Sequence, residues 1–132
     1  MPYLQLDVPR SYSPDVKRAL ASELGSIYAA IMGTKAEKVV VAIRELRDGS
    51  IWRCRSTCVP ASVLKCDIRR GRPPELRTHL AECLTAACAR LLDLTPEYLT
   101  VEFTQHPGND FYRPGRGLVP DWTPAEAKAV RS

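Results

Sequence analysis

The chain repeats itself. Residues 1–45 and 61–105 of the 132-residue sequence align without a gap at a constant offset of 60. Leu4 falls on Leu64, Asp7 on Asp67 and Arg10 on Arg70. Pro14-Asp15-Val16-Lys17 falls on Pro74-Glu75-Leu76-Arg77, Leu20 on Leu80, Leu24 on Leu84, Glu37 on Glu97 and Val41 on Val101. Two tandem copies of one supersecondary unit constrain the fold strongly, because each copy must adopt the same local structure and bury the same face.

Each copy reads β-α-β. The apolar, alternating run over residues 2–8 predicts a strand. Ser13 is placed to cap a helix, Pro14 to occupy its first position and Asp15 to complement its dipole. Val16, Leu20, Leu24, Ile27, Tyr28 and Ile31 then recur at helical spacing, and Gly33 is placed to end the helix. Lys38 to Leu46, with Val39-Val40-Val41, predicts the second strand. In the second copy the strand is 62–68, the helix Pro74 to Leu92 and the last strand Tyr98 to Gln105.

A helix between two strands of one unit suits a right-handed parallel crossover. The expected fold is α+β, a four-stranded mixed sheet with two helices on one face, in a single domain spanning 1–132. Residues 47–60 form a polar connector, including Asp48, in which Ile51-Trp52-Arg53 predicts a short extra strand or hairpin arm. The tail 106–132 is rich in Pro and Gly, and Thr123-Pro124-Ala125-Glu126 reads as a capping box for a short terminal helix. The uncovered sheet face is expected to be half apolar and buried by oligomerisation. Phe111, Tyr112 and Trp122 of the tail are expected to pack on a neighbouring subunit.

Composition excludes several classes. No apolar stretch approaches the roughly 18 residues that span a membrane, and no secretory signal is read at the start. Five cysteines without an export signal suggest reduced thiols and a cytoplasmic location. Cys54-x3-Cys58 has no second pair at metal-ligand spacing, so no metal is expected. No phosphate-binding loop appears, and no cofactor is expected. The net charge of +4 gathers in Arg44, Arg47, Arg53, Arg55, Arg69, Arg70 and Arg72. No nucleic-acid motif accompanies it, which leaves a small anionic substrate as the expected partner.

Pro2 carries the sharpest chemical possibility. Removal of Met1 would turn its ring nitrogen from an amide into a secondary amine. Free α-amino groups titrate at roughly 7.7–8.0, and burial or nearby cations push such values down, toward those suited to proton transfer near pH 7. Ser62, the internal counterpart of Pro2, can never be a terminus, so each chain holds one such proline. Arg70 and Arg72 are the leading candidates to grip a substrate carboxylate, since guanidinium groups do this in bidentate fashion. Glu102, between Val101 and Phe103, reads as either a pocket acid or an interface residue paired with an arginine. Tyr28, at helical spacing, reads as core before catalysis, and it stands with Arg113 and Glu102 as a further substrate-binding candidate.

A proline after the initiator, a duplicated β-α-β unit and arginines after the third strand together resemble the tautomerase superfamily. This superfamily comprises the relatives of 4-oxalocrotonate tautomerase and macrophage migration inhibitory factor. Ile68-Arg69-Arg70-Gly71-Arg72 and Tyr112-Arg113-Pro114-Gly115-Arg116 are similar to the cis-3-chloroacrylic acid dehalogenase and malonate semialdehyde decarboxylase branches. The resemblance implies a homotrimer with its sheets lining a barrel, an isomerase without a cofactor, and Pro2 as the proton-transfer group. It also implies Arg69 with Arg72 as an alternative arginine pair, and Phe111 as an apolar wall.

The sequence departs from the dehalogenase branch. Tyr28 stands where that branch has a histidine, Glu102 where it has a tyrosine, and Arg113 where it has a water-activating glutamate. Glu37-Lys38 stands near the aspartate of the decarboxylase branch. Tautomerisation of a small keto or enol carboxylate is therefore the expected activity. Dehalogenation, hydration or decarboxylation of a three-carbon acid is one alternative, and a non-catalytic trimeric binding module is another.

Overall fold

The computed structural model describes residues 2–47, 49–54 and 57–131. Met1, on whose removal the terminal-amine reading depends, lies outside them, as do Asp48 and Arg55 of the connector. Strand β1 (Tyr3–Val8) leads into helix α1 (Pro14–Met32) and strand β2 (Val40–Glu45). A hairpin arm follows, β3 (Trp52–Arg53) against β4 (Val59–Pro60). The second copy gives β5 (Ser62–Arg69), α2 (Pro74–Leu92) and β6 (Leu99–His106). The tail adds a second hairpin, β7 (Tyr112–Arg113) with β8 (Gly117–Leu118), and helix α3 (Pro124–Arg131).

The sheet order is β2-β1-β5-β6. Each copy contributes one parallel pair, and the two copies meet antiparallel through β1 and β5. This is the expected mixed sheet, with pseudo-twofold symmetry between its halves. Leu4, Leu6, Val8, Leu64, Cys66 and Ile68 face the helices. Leu20, Leu24, Tyr28 and Met32 of α1 and Leu80, Leu84, Cys88 and Leu92 of α2 meet them in one core. Every one of those helical positions recurs at the 60-residue offset, so the two copies bury the same stripe.

The helix ends follow from local chemistry. The Ser13 hydroxyl accepts from the Val16 N–H at 3.2 Å, and Gly33 adopts φ +67°, donating its N–H to the Ala29 carbonyl at 3.1 Å. Asp93, the counterpart of Gly33, takes the same left-handed conformation at φ +52°. The strands start later than the sequence predicts. Ala36–Lys38 and Pro96–Tyr98 each form a single 3-10 turn, which delays the strand behind it to Val40 and to Leu99.

Two expectations about the outer surface are corrected. The uncovered sheet face is mainly polar: Tyr3, Gln5 and Asp7 alternate with the core residues of β1, and Val63, Lys65 and Asp67 do so on β5. Cross-strand pairing brings Lys65 level with Glu102, and Arg44 grips Asp7 at 2.6 Å. Trp122 is not left for a neighbour, because it is buried in its own chain against Arg72. Phe111 packs edge-on against His106, with ring centroids 5.6 Å apart, and only Tyr112 stays exposed. Among the described residues, no helix is long and apolar enough to cross a membrane.

Candidate active site

Pro2 is buried where three elements converge. Its carbonyl accepts the Val40 N–H at 3.0 Å, which ties it to the start of β2. Tyr3 pairs with Asp67 across the antiparallel seam, so Pro2 stands level with Ile68 and one residue short of Arg69. The tail crosses above. Together these segments enclose a cavity of about 270 Å³ in which Pro2 meets Tyr28, Lys38, Arg69, Arg72, Arg113 and Arg116.

Arg69 and Arg72 reach this cavity by different routes. Arg69 closes β5 and lies under the tail. Its Nη1 donates to the Pro120 carbonyl at 2.8 Å and its Nη2 to the Glu126 carboxylate at 2.5 Å. After Arg70 the chain turns at Gly71, whose φ of +125° is open to glycine and strained for other residues. The turn sends Arg72 back. Its Nε donates to the Met32 carbonyl at the end of α1 at 2.9 Å. The guanidinium lies over Trp122, 4.9 Å from the ring centroid, and 5.8 Å from that of Tyr28. Burial lowers its affinity for its proton, yet an arginine stays charged at any physiological pH.

Two other residues show the electrostatics of the cavity. Burial pushes the Tyr28 phenol up to about 12, against the pull of Arg72. Tyr28 is thus a neutral hydroxyl at the pocket wall. Lys38 is lowered from the usual lysine range, first by burial and then by Arg113 and Arg116, with Glu126 opposing. Lys38 and the four arginines around Pro2 face one carboxylate among the lining residues, Glu126. Such a cavity attracts anions and disfavours any further positive charge inside it.

The structure brings together Pro2, Tyr28, Arg69, Arg72 and Arg113 of the candidates read from sequence, and leaves three outside. Arg70 is not among the lining residues and pairs with Asp121 at 2.8 Å. Glu102 lies on the outer sheet face, exposed and beside Lys65. Phe111 packs on His106. Lys38, Arg116 and Glu126 are lining residues that sequence reasoning missed as site residues. Arg116 had a signal in the basic tail motif. The Glu126 carboxylate reaches Arg69, 57 positions away, where the capping-box pattern predicts a purely local role.

No protein-family model matches the sequence, and no curated protein matches it significantly. Solved structures match along nearly the whole chain. N1, a member of the cis-3-chloroacrylic acid dehalogenase (cis-CaaD) family, superposes with a TM-score of 0.79 at 21% identity, covering 98% of this chain and 98% of its own. Pt0534 inactivated by 2-oxo-3-pentynoate gives a TM-score of 0.78 at 19% identity, over 98% and 99%. The Q0 fused 4-OT symmetric trimer gives 0.78 at 20% identity, over 89% and 94%. With its duplicated β-α-β halves and mixed sheet, the chain has the tautomerase-superfamily fold.

Proposed function

We propose that this chain, once Met1 is removed, is a cofactor-independent tautomerase-like enzyme in which Pro2 shuttles a proton on a small keto or enol carboxylate. The observation that carries the reading is the convergence of Pro2 with Arg72, Arg113, Arg116 and Lys38 in one cavity. Those cations disfavour the ammonium form of a terminal proline, which favours a neutral amine acting as base. Arg72 binds the substrate carboxylate and stabilises the charge that develops on the dienolate.

The reaction is a proton relocation. The Pro2 nitrogen takes a proton from the enol hydroxyl, the oxygen lone pair re-forms a carbonyl, and the carbon–carbon double bond shifts. The same nitrogen then returns the proton to carbon. No electrons are gained or lost overall. The symmetric trimer of the fused 4-OT protein and the inactivation of Pt0534 by a keto acid support the same assembly and substrate class here.

Intact-mass measurement combined with 2-oxo-3-pentynoate tests both halves of the reading. The expected result is a chain lighter by one methionine that loses activity on enol carboxylates as one equivalent of reagent attaches to Pro2. A chain that retains Met1 and still turns over such substrates would overturn it, as would Pro2→Ala with unchanged turnover.

A further inference from the structure

We propose that Glu126 makes the Pro2 cavity selective for monocarboxylates by filling the second of two carboxylate seats. The inference rests on the reading of this cavity as a carboxylate site, and it is carried by the unequal state of Arg69 and Arg72.

Both arginines line the same cavity, three residues apart, Arg69 at the end of β5 and Arg72 beyond the Gly71 turn. Arg72 commits its Nε to the Met32 carbonyl, and among the described residues its two terminal nitrogens have no hydrogen-bond partner. It is only 5% exposed, so those nitrogens are held within the protein and present a fixed fork. Arg69 is in the opposite condition. Its Nη1 is taken by the Pro120 carbonyl and its Nη2 by Glu126. Glu126 thus stands where an incoming carboxylate would stand on Arg69.

The position of Glu126 adds to the argument. It lies in the first turn of α3, beyond the end of the repeat, and its charge acts on Tyr28 and Lys38 as well as on Arg72. A monocarboxylate needs only the Arg72 fork. A dicarboxylate must either displace Glu126 from Arg69 or hold its second carboxylate beside a third. Like charges so placed are costly where water is partly excluded. Arg116 is exposed and Arg113 half-buried, so both draw anions of either kind and discriminate little.

The test is calorimetric binding of pyruvate and malonate, three-carbon acids with one and two carboxylates, to the full chain and to Glu126→Ala and Glu126→Gln. The native protein is expected to bind pyruvate more tightly. Each variant is expected to shift the ratio toward malonate by about tenfold or more, the scale of one charge-assisted contact. Gln keeps the shape of the side chain, which leaves a folded variant even where alanine loosens α3. A ratio unchanged in both variants, or a native protein that already prefers malonate, would overturn the role of Glu126. Failure of both acids to bind any of the three proteins would instead overturn the carboxylate reading itself, and this inference with it.

Discussion

The sheet has two ends built to one plan, and they differ in net charge: cations crowd the Pro2 end, whereas Arg10 and Asp93 offset each other at the other. At the far end Ser62 takes the place of Pro2, and a cavity of about 420 Å³ opens beside it. Its lining residues Pro9, Leu94 and Tyr98 stand 60 positions from Arg69, Thr34 and Lys38 of the first cavity. The frame is the same down to single bonds. Arg72 donates to the last carbonyl of α1 at 2.9 Å, and its counterpart Tyr12 donates its hydroxyl to the last carbonyl of α2, Leu92, at 2.9 Å. A tyrosine exhausts its single donor in that bond, whereas an arginine makes it with one nitrogen and keeps two more for a ligand. The difference teaches that the fold supplies two hollows, while a few substitutions decide which one gathers cations.

The sharpest way to break the comparison is to make the two ends alike. Arg72→Tyr copies the far end, keeping a donor for Met32 and removing the free fork. Its kcat/KM on an enol carboxylate is expected to fall about 100-fold, near 2.7 kcal/mol, within the range of a hydrogen bond to a charged group. Tyr12→Phe, at the far end, is expected to leave that activity within about twofold. Steady-state kinetics on both variants decides the matter, and an Arg72→Tyr enzyme of native activity would remove Arg72 from the mechanism.

The second contrast is the tail, which closes over one end only. A Cβ on Gly108 would collide with the Pro120 backbone, and one on Gly71 with the backbone of Trp122. The counterpart of Gly71 is the exposed Ser11. Gly71→Ala and Gly108→Ala are each expected to lower stability in chemical denaturation by about 2–3 kcal/mol, through overpacking and, at Gly71, a forbidden backbone angle. Ser11→Ala should stay within about 0.5 kcal/mol.

The smallest contrast is in alkali. Tyr28 and its counterpart Cys88 are both pushed up to about 12 by burial, from 10.0 and 9.0 respectively. Both are neutral acids whose anions the core rejects. The folded chain therefore holds their protons at pH values where the unfolded chain has released them, and stability falls as pH rises. The Tyr28 contribution is complete below pH 10 and lost between 10 and about 12, about 1.4 kcal/mol of it by pH 11. The Cys88 loss begins about one unit earlier. Tyr28→Phe and Cys88→Ala should each flatten their own part of the curve when urea midpoints are followed from pH 8 to 11.

The two halves were legible in sequence because their signals are local: a capped helix, a fixed apolar stripe and β-branched runs at matching positions. The repeat in fact reaches further than residues 45 and 105. Ile51-Trp52-Arg53 and Phe111-Tyr112-Arg113 occupy matching places, preceded by equivalent turns, Ser50 to Arg47 at 3.0 Å and Asp110 to Pro107 at 2.9 Å. Proline and glycine in the tail conceal that match, since they conserve a turn without conserving a pattern. Arg70 was misplaced because strand reasoning stops at Arg69, and one glycine angle then determines which arginine returns. Glu126 was out of reach because its partner is set by how the tail docks, which no local spacing encodes.

The tie between the Pro2 carbonyl and the Val40 N–H has an entropic consequence. A base carried on a lysine swings on a flexible stem, and fixing such a stem costs about 2 kcal/mol of rotamer freedom. The nitrogen of Pro2 belongs to the backbone and to a closed ring, so it has no side-chain torsions to freeze. Once the strand pairs, the proposed base is already in place, and folding the sheet and aiming that nitrogen become a single event.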